Sequence, residues 1–212
     1  MARKLQVALD IPSSAEALRI GKMAVAGGAD IIEAGTPLIK REGIGAVRKL
    51  KDELKVPILA DLKIIDYGKM EAQFAFDSGA DIVTVLGSAT TSTIEETVDV
   101  AKACGGKIAI DLIGVYDVIS SYNHVLPLKI DYIYLYTGLE ELVEGKMPFD
   151  DVKKLFDVSR VPLGVAGSLN AGNIDKALLP GVEVLVVGSA ITKAKDPKAE
   201  TEKIKRIISG KE

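Results

Sequence analysis

Short runs of β-branched and other apolar residues recur along the chain, separated by segments whose apolar positions repeat every three or four residues. The clearest run, Gly28-Ala29-Asp30-Ile31-Ile32-Glu33, returns as Gly79-Ala80-Asp81-Ile82-Val83-Thr84. It returns more loosely as Ile130-Asp131-Tyr132-Ile133-Tyr134 and as Val182-Glu183-Val184-Leu185-Val186. A period of roughly 50 residues marks an internal structural repeat. Between these copies lies a second series, 5–10, 56–61, 107–111 and 161–167, at similar spacing. Helical periodicity falls at 14–26, 44–54, 69–78 and 94–103, and 193–212 reads as a final amphipathic helix with a polar tail. Short buried runs bounded by Gly or Pro and alternating with helices predict parallel βα units.

Eight such units of about 26 residues predict an α/β fold, a single (β/α)8 TIM barrel occupying 1–212 as one domain. A doubly wound open sheet is the rival. Against it, no Gly-x-Gly-x-x-Gly follows the first run, and a repeat that continues to the last strand suits closure. In such a barrel the polar groups at strand C-termini face the active-site mouth, and the inward positions lower down are expected to carry Val, Ile and Leu.

Composition narrows the partners. The chain has 212 residues, 48% hydrophobic and 27% charged, with a formal net charge of −3. That balance gives no basic footprint for nucleic acid or an anionic membrane, and it points to a small-molecule partner. The Arg3-Lys4 pair is not followed by the apolar stretch of a signal peptide, and no apolar run approaches a membrane span, so a cytoplasmic location is expected. Cys104 is the one cysteine, which leaves no internal disulfide and no cysteine metal cluster; Ala103-Cys104-Gly105-Gly106 reads as a helix end.

The strand ends carry the chemistry. They are Asp10, Glu33, Asp61 with Lys63, Thr84, Asp111, Tyr136, and the turns Ala166-Gly167-Ser168 and Gly188-Ser189. So many carboxylates around one lysine in an apolar-walled mouth are costly unless they pair, bind a metal or meet a substrate. Glu33 and Asp61 end neighbouring strands and could share one hard cation, for which Mg2+ held by two carboxylates, water and substrate hydroxyls is the usual pattern. The alternative is that either one caps the helix that follows. Within Asp61-Leu62-Lys63-Ile64-Ile65-Asp66, strand alternation puts Asp61 and Lys63 on one face and Asp66 in the loop beyond. The three form a self-neutralising set that keeps Lys63 charged for an oxyanion or enediolate, unless they are a plain ion-pair ladder. Gly167, Ser168, Gly188 and Ser189 occupy the two turns where barrels of this kind bind phosphate. His124, the one histidine, falls at a predicted helix end away from the strand termini and is not expected to act as a base.

With these residues in place, the chain resembles the 3-hexulose-6-phosphate synthase family of the orotidine monophosphate decarboxylase superfamily. The resemblance rests on Leu5-Gln6-Val7-Ala8-Leu9-Asp10, Glu33-Ala34-Gly35-Thr36-Pro37-Leu38-Ile39, Ala60-Asp61-Leu62-Lys63-Ile64-Ile65-Asp66, Gly79 through Gly87, Asp111-Leu112-Ile113-Gly114-Val115 and Val187-Gly188-Ser189-Ala190-Ile191-Thr192. It implies an aldol reaction joining formaldehyde and ribulose 5-phosphate into arabino-hex-3-ulose 6-phosphate, through an enediolate stabilised by Mg2+. Carried over by position, Glu33 and Asp61 would hold the metal and Lys63 would stabilise the enediolate. Asp10 would orient Lys63 or a substrate hydroxyl, and Asp66 would reach the partner subunit's site in a homodimer.

The pattern also departs from the family. Where the family usually carries a histidine after strand six, this chain has Tyr136, a hydrogen-bond donor to substrate but a poor proton shuttle at its ordinary pKa near 10. Glu140-Glu141-Leu142 departs from the family's Asp-then-Gln, and Ser168 and Ser189 stand where the family has glycine. Three other readings remain open: a decarboxylase of a 3-keto-hexonate 6-phosphate sharing the enediolate, a Schiff-base aldolase using Lys63, and a sugar-phosphate binder without turnover.

Overall fold

The computed structural model describes residues 3–137 and 149–210. Eight parallel strands close on themselves in sequence order: β1 Lys4–Leu9, β2 Ile31–Ala34, β3 Ile58–Ile64, β4 Ile82–Leu86, β5 Lys107–Asp111, β6 Tyr132–Tyr136, β7 Leu163–Ala166 and β8 Val182–Val187. The expected (β/α)8 barrel is therefore present. β8 pairs back onto β1 (Val7 opposite Val187), which rules out the open sheet. Among the described residues no helix is long and apolar enough to cross a membrane.

Helices cover the outside, beginning with α1 Ser14–Ala26, α2 Thr36–Glu42, α3 Gly45–Glu53, α4 Gly68–Asp77, α5 Thr91–Cys104 and α6 Val118–Val125. They continue with α7 Phe149–Leu155, α8 Ser189–Thr192 and α9 Pro197–Ile208. Two of them correct the periodicity reading. α5 starts a turn earlier than 94, because the Thr90 side chain accepts the Thr93 N–H and caps a first turn with no apolar residue to reveal it. The last helix starts at Pro197 rather than 193: Asp196 accepts the Ala199 N–H, and Pro197 takes a first-turn position where its missing N–H costs nothing. Between β7 and β8 the crossover holds only a 3-10 helix, Ile174–Ala177.

The apolar residues divide into two layers. Leu5, Val7, Leu9, Ile32, Val83, Val85, Ile108, Ile110, Val165 and Val187 point outward and pack with the helices. Inside lies a smaller group that includes Ala8, Ile31, Leu59, Ala109, Tyr132, Tyr134, Ala166 and Val186. The expectation of Val, Ile and Leu inside holds only in part. Strand β6 points three tyrosines inward at i, i+2 and i+4, and its neighbours shrink to make room: a Cβ on Gly164 would stand within the Tyr134 ring. The bulky aliphatics go outward because that face of each strand meets the aliphatic stripe of a helix.

The sequence repeat has a structural meaning at the barrel floor. The carboxylates of Asp30, Asp81 and Asp131 accept the N–H of Leu5 (2.6 Å), Ile58 (2.7 Å) and Ile108 (2.9 Å), the first or second residue of the preceding odd strand. Each aspartate's own N–H is donated back to the carbonyl of that same residue. In the fourth copy the Gly181 carbonyl takes the Leu163 N–H instead. Lys205 and Lys51 then pair with Asp30 and Asp81. Asp81→Ala is expected to leave the Ile58 amide short of its acceptor and to lower stability by about 1–3 kcal/mol, read as a drop of several degrees in a thermal melt.

Candidate active site

The C-terminal ends of the strands enclose a cavity of about 510 Å³, within the size range of small-molecule sites. Asp10, Glu33, Asp61, Lys63, Thr84, Asp111, Tyr136 and both glycine turns line it. The strand-end reading thus brings one set of residues to one mouth. Asp66 is not among them; it is exposed on the connection between β3 and α4.

Lys63 reaches the mouth by an irregular route. Between Ala60 and Ile64, β3 advances four residues while β4 advances two, from Val83 to Val85. Lys63 takes up the slack with a left-handed φ of 50°, and its N–H goes to the Thr84 hydroxyl at 2.9 Å instead of a ladder carbonyl. Such bulges re-aim side chains beside active sites. The turn sends the Lys63 ammonium between two buried carboxylates, 2.9 Å from Asp61 Oδ2 and 2.9 Å from Asp111 Oδ2. The expected Asp61-Lys63-Asp66 set is therefore corrected to Asp61-Lys63-Asp111, since Asp66 lies beyond the bulge and outside the cavity. Desolvation works against the charge on Lys63, but Asp61 and Asp111 outweigh it and hold the pKa above the ordinary lysine value. Burial pushes the Asp111 carboxyl up, with Lys63 opposing.

Asp61 is further fixed by Thr36, whose hydroxyl donates to Oδ2 at 2.7 Å, and by Thr84, which donates to Oδ1 at 2.9 Å. Glu33 accepts from the Gln6 carboxamide at 2.6 Å, and Gln6 in turn accepts from the Tyr134 hydroxyl at 2.7 Å. Burial, then the charges of Asp61 and Asp10, push the Glu33 carboxyl well above the usual glutamate range. Asp10 forms no ion pair with Lys63, whose ammonium is taken by Asp61 and Asp111; its carboxylate occupies the space that a Cβ on Gly35 would fill. Desolvation and the Asp61 charge raise its pKa.

Four carboxylates and two lysines, Lys63 and Lys193, line the cavity, leaving a formal excess of two negative charges when all are ionised. One divalent cation carries that charge, and Glu33 with Asp61 supplies the hard oxygen donors that such an ion takes. No group of three or more candidate ligands exists among the described residues, so water and substrate would complete any such site.

Tyr136 stands over this cluster with its ring centroid 5.0 Å from the Lys63 ammonium, a cation–π arrangement. Burial and the nearby carboxylates push its phenol up to about 12, so it stays protonated at neutral pH. Across the mouth, Gly167 has a φ of 133° and Ser168 of 47°. The latter is a glycine-favouring conformation, the physical reason for glycine at this place in the resembling family. Asn170 and Asn173 brace the turn through the Ser168 carbonyl. The N–H groups of Ser168, Ser189 and Ala190 have no acceptor among the described residues.

Sequence reading did not single out Thr36, Gln6, Tyr134 or Lys193. Thr36 opens a helix and Lys193 follows the last glycine turn, both at the mouth end of a βα unit, a positional signal that was there to use. His124 lies outside the cavity, exposed and 3.2 Å from the Thr91 hydroxyl. Cys104 is exposed at the end of α5, as expected. Glu140 and Glu141 lie outside the described residues.

Comparison with known proteins follows the same lines. The profile of the orotidine 5'-phosphate decarboxylase / HUMPS family matches residues 3–204. A 3-hexulose-6-phosphate synthase from Mycobacterium gastri is 38% identical over 208 residues, covering 97% of this chain and all of the relative. The crystal structure of 3-hexulose-6-phosphate synthase from Salmonella typhimurium superposes with a TM-score of 0.93 at 37% identity, covering 97% of this chain and 98% of the other. KGPDC from Streptococcus mutans, solved as a sugar-phosphate complex, has a TM-score of 0.90 at 26% identity, with 97% of each chain covered. The chain belongs to the orotidine 5'-phosphate decarboxylase / HUMPS family, beside its 3-hexulose-6-phosphate synthases, and is an enzyme of the lyase type.

Proposed function

We propose that the chain is a Mg2+-dependent aldolase interconverting ribulose 5-phosphate plus formaldehyde and arabino-hex-3-ulose 6-phosphate through an enediolate. The observation that carries this reading is the charged Lys63, held between Asp61 and Asp111 in the same cavity as Glu33 and the two glycine turns. Glu33 and Asp61 would hold the cation, which when bound supplies Lewis-acid charge to vicinal sugar oxygens. Gly167, Ser168, Gly188 and Ser189 bind the phosphate through backbone N–H groups and hydroxyls, with Lys193 adding charge at the rim. Lys63 meets the negative charge that develops on oxygen when the C1 proton of ribulose 5-phosphate leaves and C1 becomes the nucleophile toward formaldehyde. Tyr136, protonated, donates a hydrogen bond to a substrate oxygen, and Asp10 orients a hydroxyl at the opening.

A lysine held charged by two carboxylates is unsuited to Schiff-base formation, which needs the neutral amine. The decarboxylase reading keeps one support, the fold shared with KGPDC and its sugar-phosphate complex. Purified protein with Mg2+, ribulose 5-phosphate and formaldehyde is expected to consume formaldehyde, and EDTA is expected to stop it. Turnover of a 3-keto-hexonate 6-phosphate without formaldehyde consumption would assign the decarboxylation instead.

A homodimer with shared sites belongs to this proposal. Ile65, Tyr67, Met70 and Phe74 form an apolar patch, 47–67% exposed, around Asp66, the composition of a surface that another protein covers. A tag-selected heterodimer of a Lys63→Ala subunit and an Asp66→Ala subunit pairs one intact Lys63 with one intact Asp66 only if Asp66 acts across the interface. It is expected to show about half the wild-type activity in a two-fold dimer, with both parent homodimers inactive. A heterodimer as inactive as its parents would place Asp66 in its own subunit's site.

A further inference from the structure

Below the mouth, three side chains from β6, β1 and β2 form a hydrogen-bonded line across the barrel. Tyr134 donates to Gln6 Oε1 at 2.7 Å, and Gln6 Nε2 donates to Glu33 Oε2 at 2.6 Å. Gln6 is fully buried and Tyr134 nearly so. The polarity of the line follows from chemistry. An ionised carboxylate only accepts, so the amide nitrogen must face Glu33, the amide oxygen must face Tyr134, and the phenol must donate. Turning the amide over would set two acceptors against each other at Glu33. Burial pushes the Tyr134 phenol well above its ordinary pKa, so its proton stays in place. The ring is itself held, packed edge-on against Tyr132 at 6.1 Å and fitted to the space left by Gly164.

The line ends on one oxygen of Glu33. Oε1 accepts no hydrogen bond from the described residues and is not among their buried unpaired atoms, so it opens to the cavity that Glu33 lines. We propose that Tyr134 and Gln6 are positioning residues: they tie Glu33 Oε2 from below and so present Oε1 to a divalent cation shared with Asp61. This inference rests on the reading of Glu33 and Asp61 as cation ligands. Partners one step behind a ligand carry a large share of metal affinity because they fix the ligand's orientation before the ion arrives.

The test is Mn2+ binding followed by electron paramagnetic resonance, with Mg2+ as competitor, beside a thermal melt of each variant. Tyr134→Phe leaves Gln6 Oε1 buried without a donor and frees the amide to turn; Gln6→Met removes the tie to Glu33. Each is expected to weaken Mn2+ binding about tenfold or more and to lower the melting temperature. The double variant leaves neither Gln6 nor Tyr134 with an unpaired buried atom. It is expected to melt above Tyr134→Phe yet to bind Mn2+ as weakly as Gln6→Met. Mn2+ affinity that recovers along with stability in the double variant, or a wild-type affinity in Tyr134→Phe, would overturn the proposal and leave the line a packing device. Absence of Mn2+ binding by the wild type, or binding that survives Glu33→Gln, would instead remove the cation reading beneath it.

Discussion

Lys63→Met is expected to lower kcat by about 10²–10³-fold or more, because the ammonium is the one fixed positive charge placed to meet a developing oxyanion. Its second effect is on the fold. Removing the ammonium leaves Asp61 and Asp111, whose side chains are 8% and 4% exposed, facing each other without a cation. Breaking a buried pair from one side costs about 3–5 kcal/mol. The sign of the pH dependence is set by Asp111, whose pKa in the folded protein is already raised by burial and rises further once Lys63 is gone. A carboxyl with a raised folded pKa destabilises the protein above that pKa and is relieved below it, where it is protonated. The stability gap between variant and parent should therefore narrow as the pH of urea unfolding is lowered from about 7.5 to about 5. A gap that stays constant or widens would mean that Lys63 does not neutralise this pair.

Glu33→Gln is expected to abolish the Mg2+-dependent activity and, unusually for a core substitution, to make the metal-free protein more stable. Glu33 is buried beside Asp61 and Asp10, and its carboxyl is pushed well up from the ordinary range. In that state stability is lost as pH rises from the ordinary glutamate pKa to the raised folded value, because the unfolded chain gives up the proton first. Glutamine keeps the volume and can still accept from Gln6, so the loss disappears with the charge. In EDTA near neutral pH the variant is expected to melt a few degrees above the wild type, about 2–4 °C per kcal/mol regained. Adding Mg2+ should raise the wild-type midpoint and leave the variant's unchanged. A variant that melts below the wild type in EDTA would show that the Glu33 carboxylate is held without strain.

Both residues were legible in the sequence as acidic or basic groups at strand ends, since a parallel barrel directs strand C-termini to one face whatever its side chains are. What they touch was less legible. Strict alternation brought Asp61 and Lys63 to one face, the right outcome by the wrong route, because the bulge and the left-handed φ of Lys63 depend on how β3 and β4 share hydrogen bonds. The partner Asp111 is 48 residues away from Lys63, a separation on which local pattern has no hold. Gln6 and Tyr134 were missed for a different reason. Both faces of a barrel strand are buried, so polarity alone does not say which face points in. The repeat, by contrast, was visible as spelling, and only the fold shows that its aspartate has a job.

That job bears on how freely the enzyme can change. The three aspartate links close the barrel at the end away from the cavity, each joining neighbouring strands 23 or 25 residues apart. Short spans of nearly equal length carry a small and similar loop-closure cost, so strands can pair locally without waiting for the ring to complete. Nothing in that assembly draws on Lys63, Tyr136 or the serines at the glycine turns. Folding information sits at one rim and chemistry at the other, and a lineage can exchange a histidine for Tyr136, or a glycine for Ser168, while the chain still finds the same barrel.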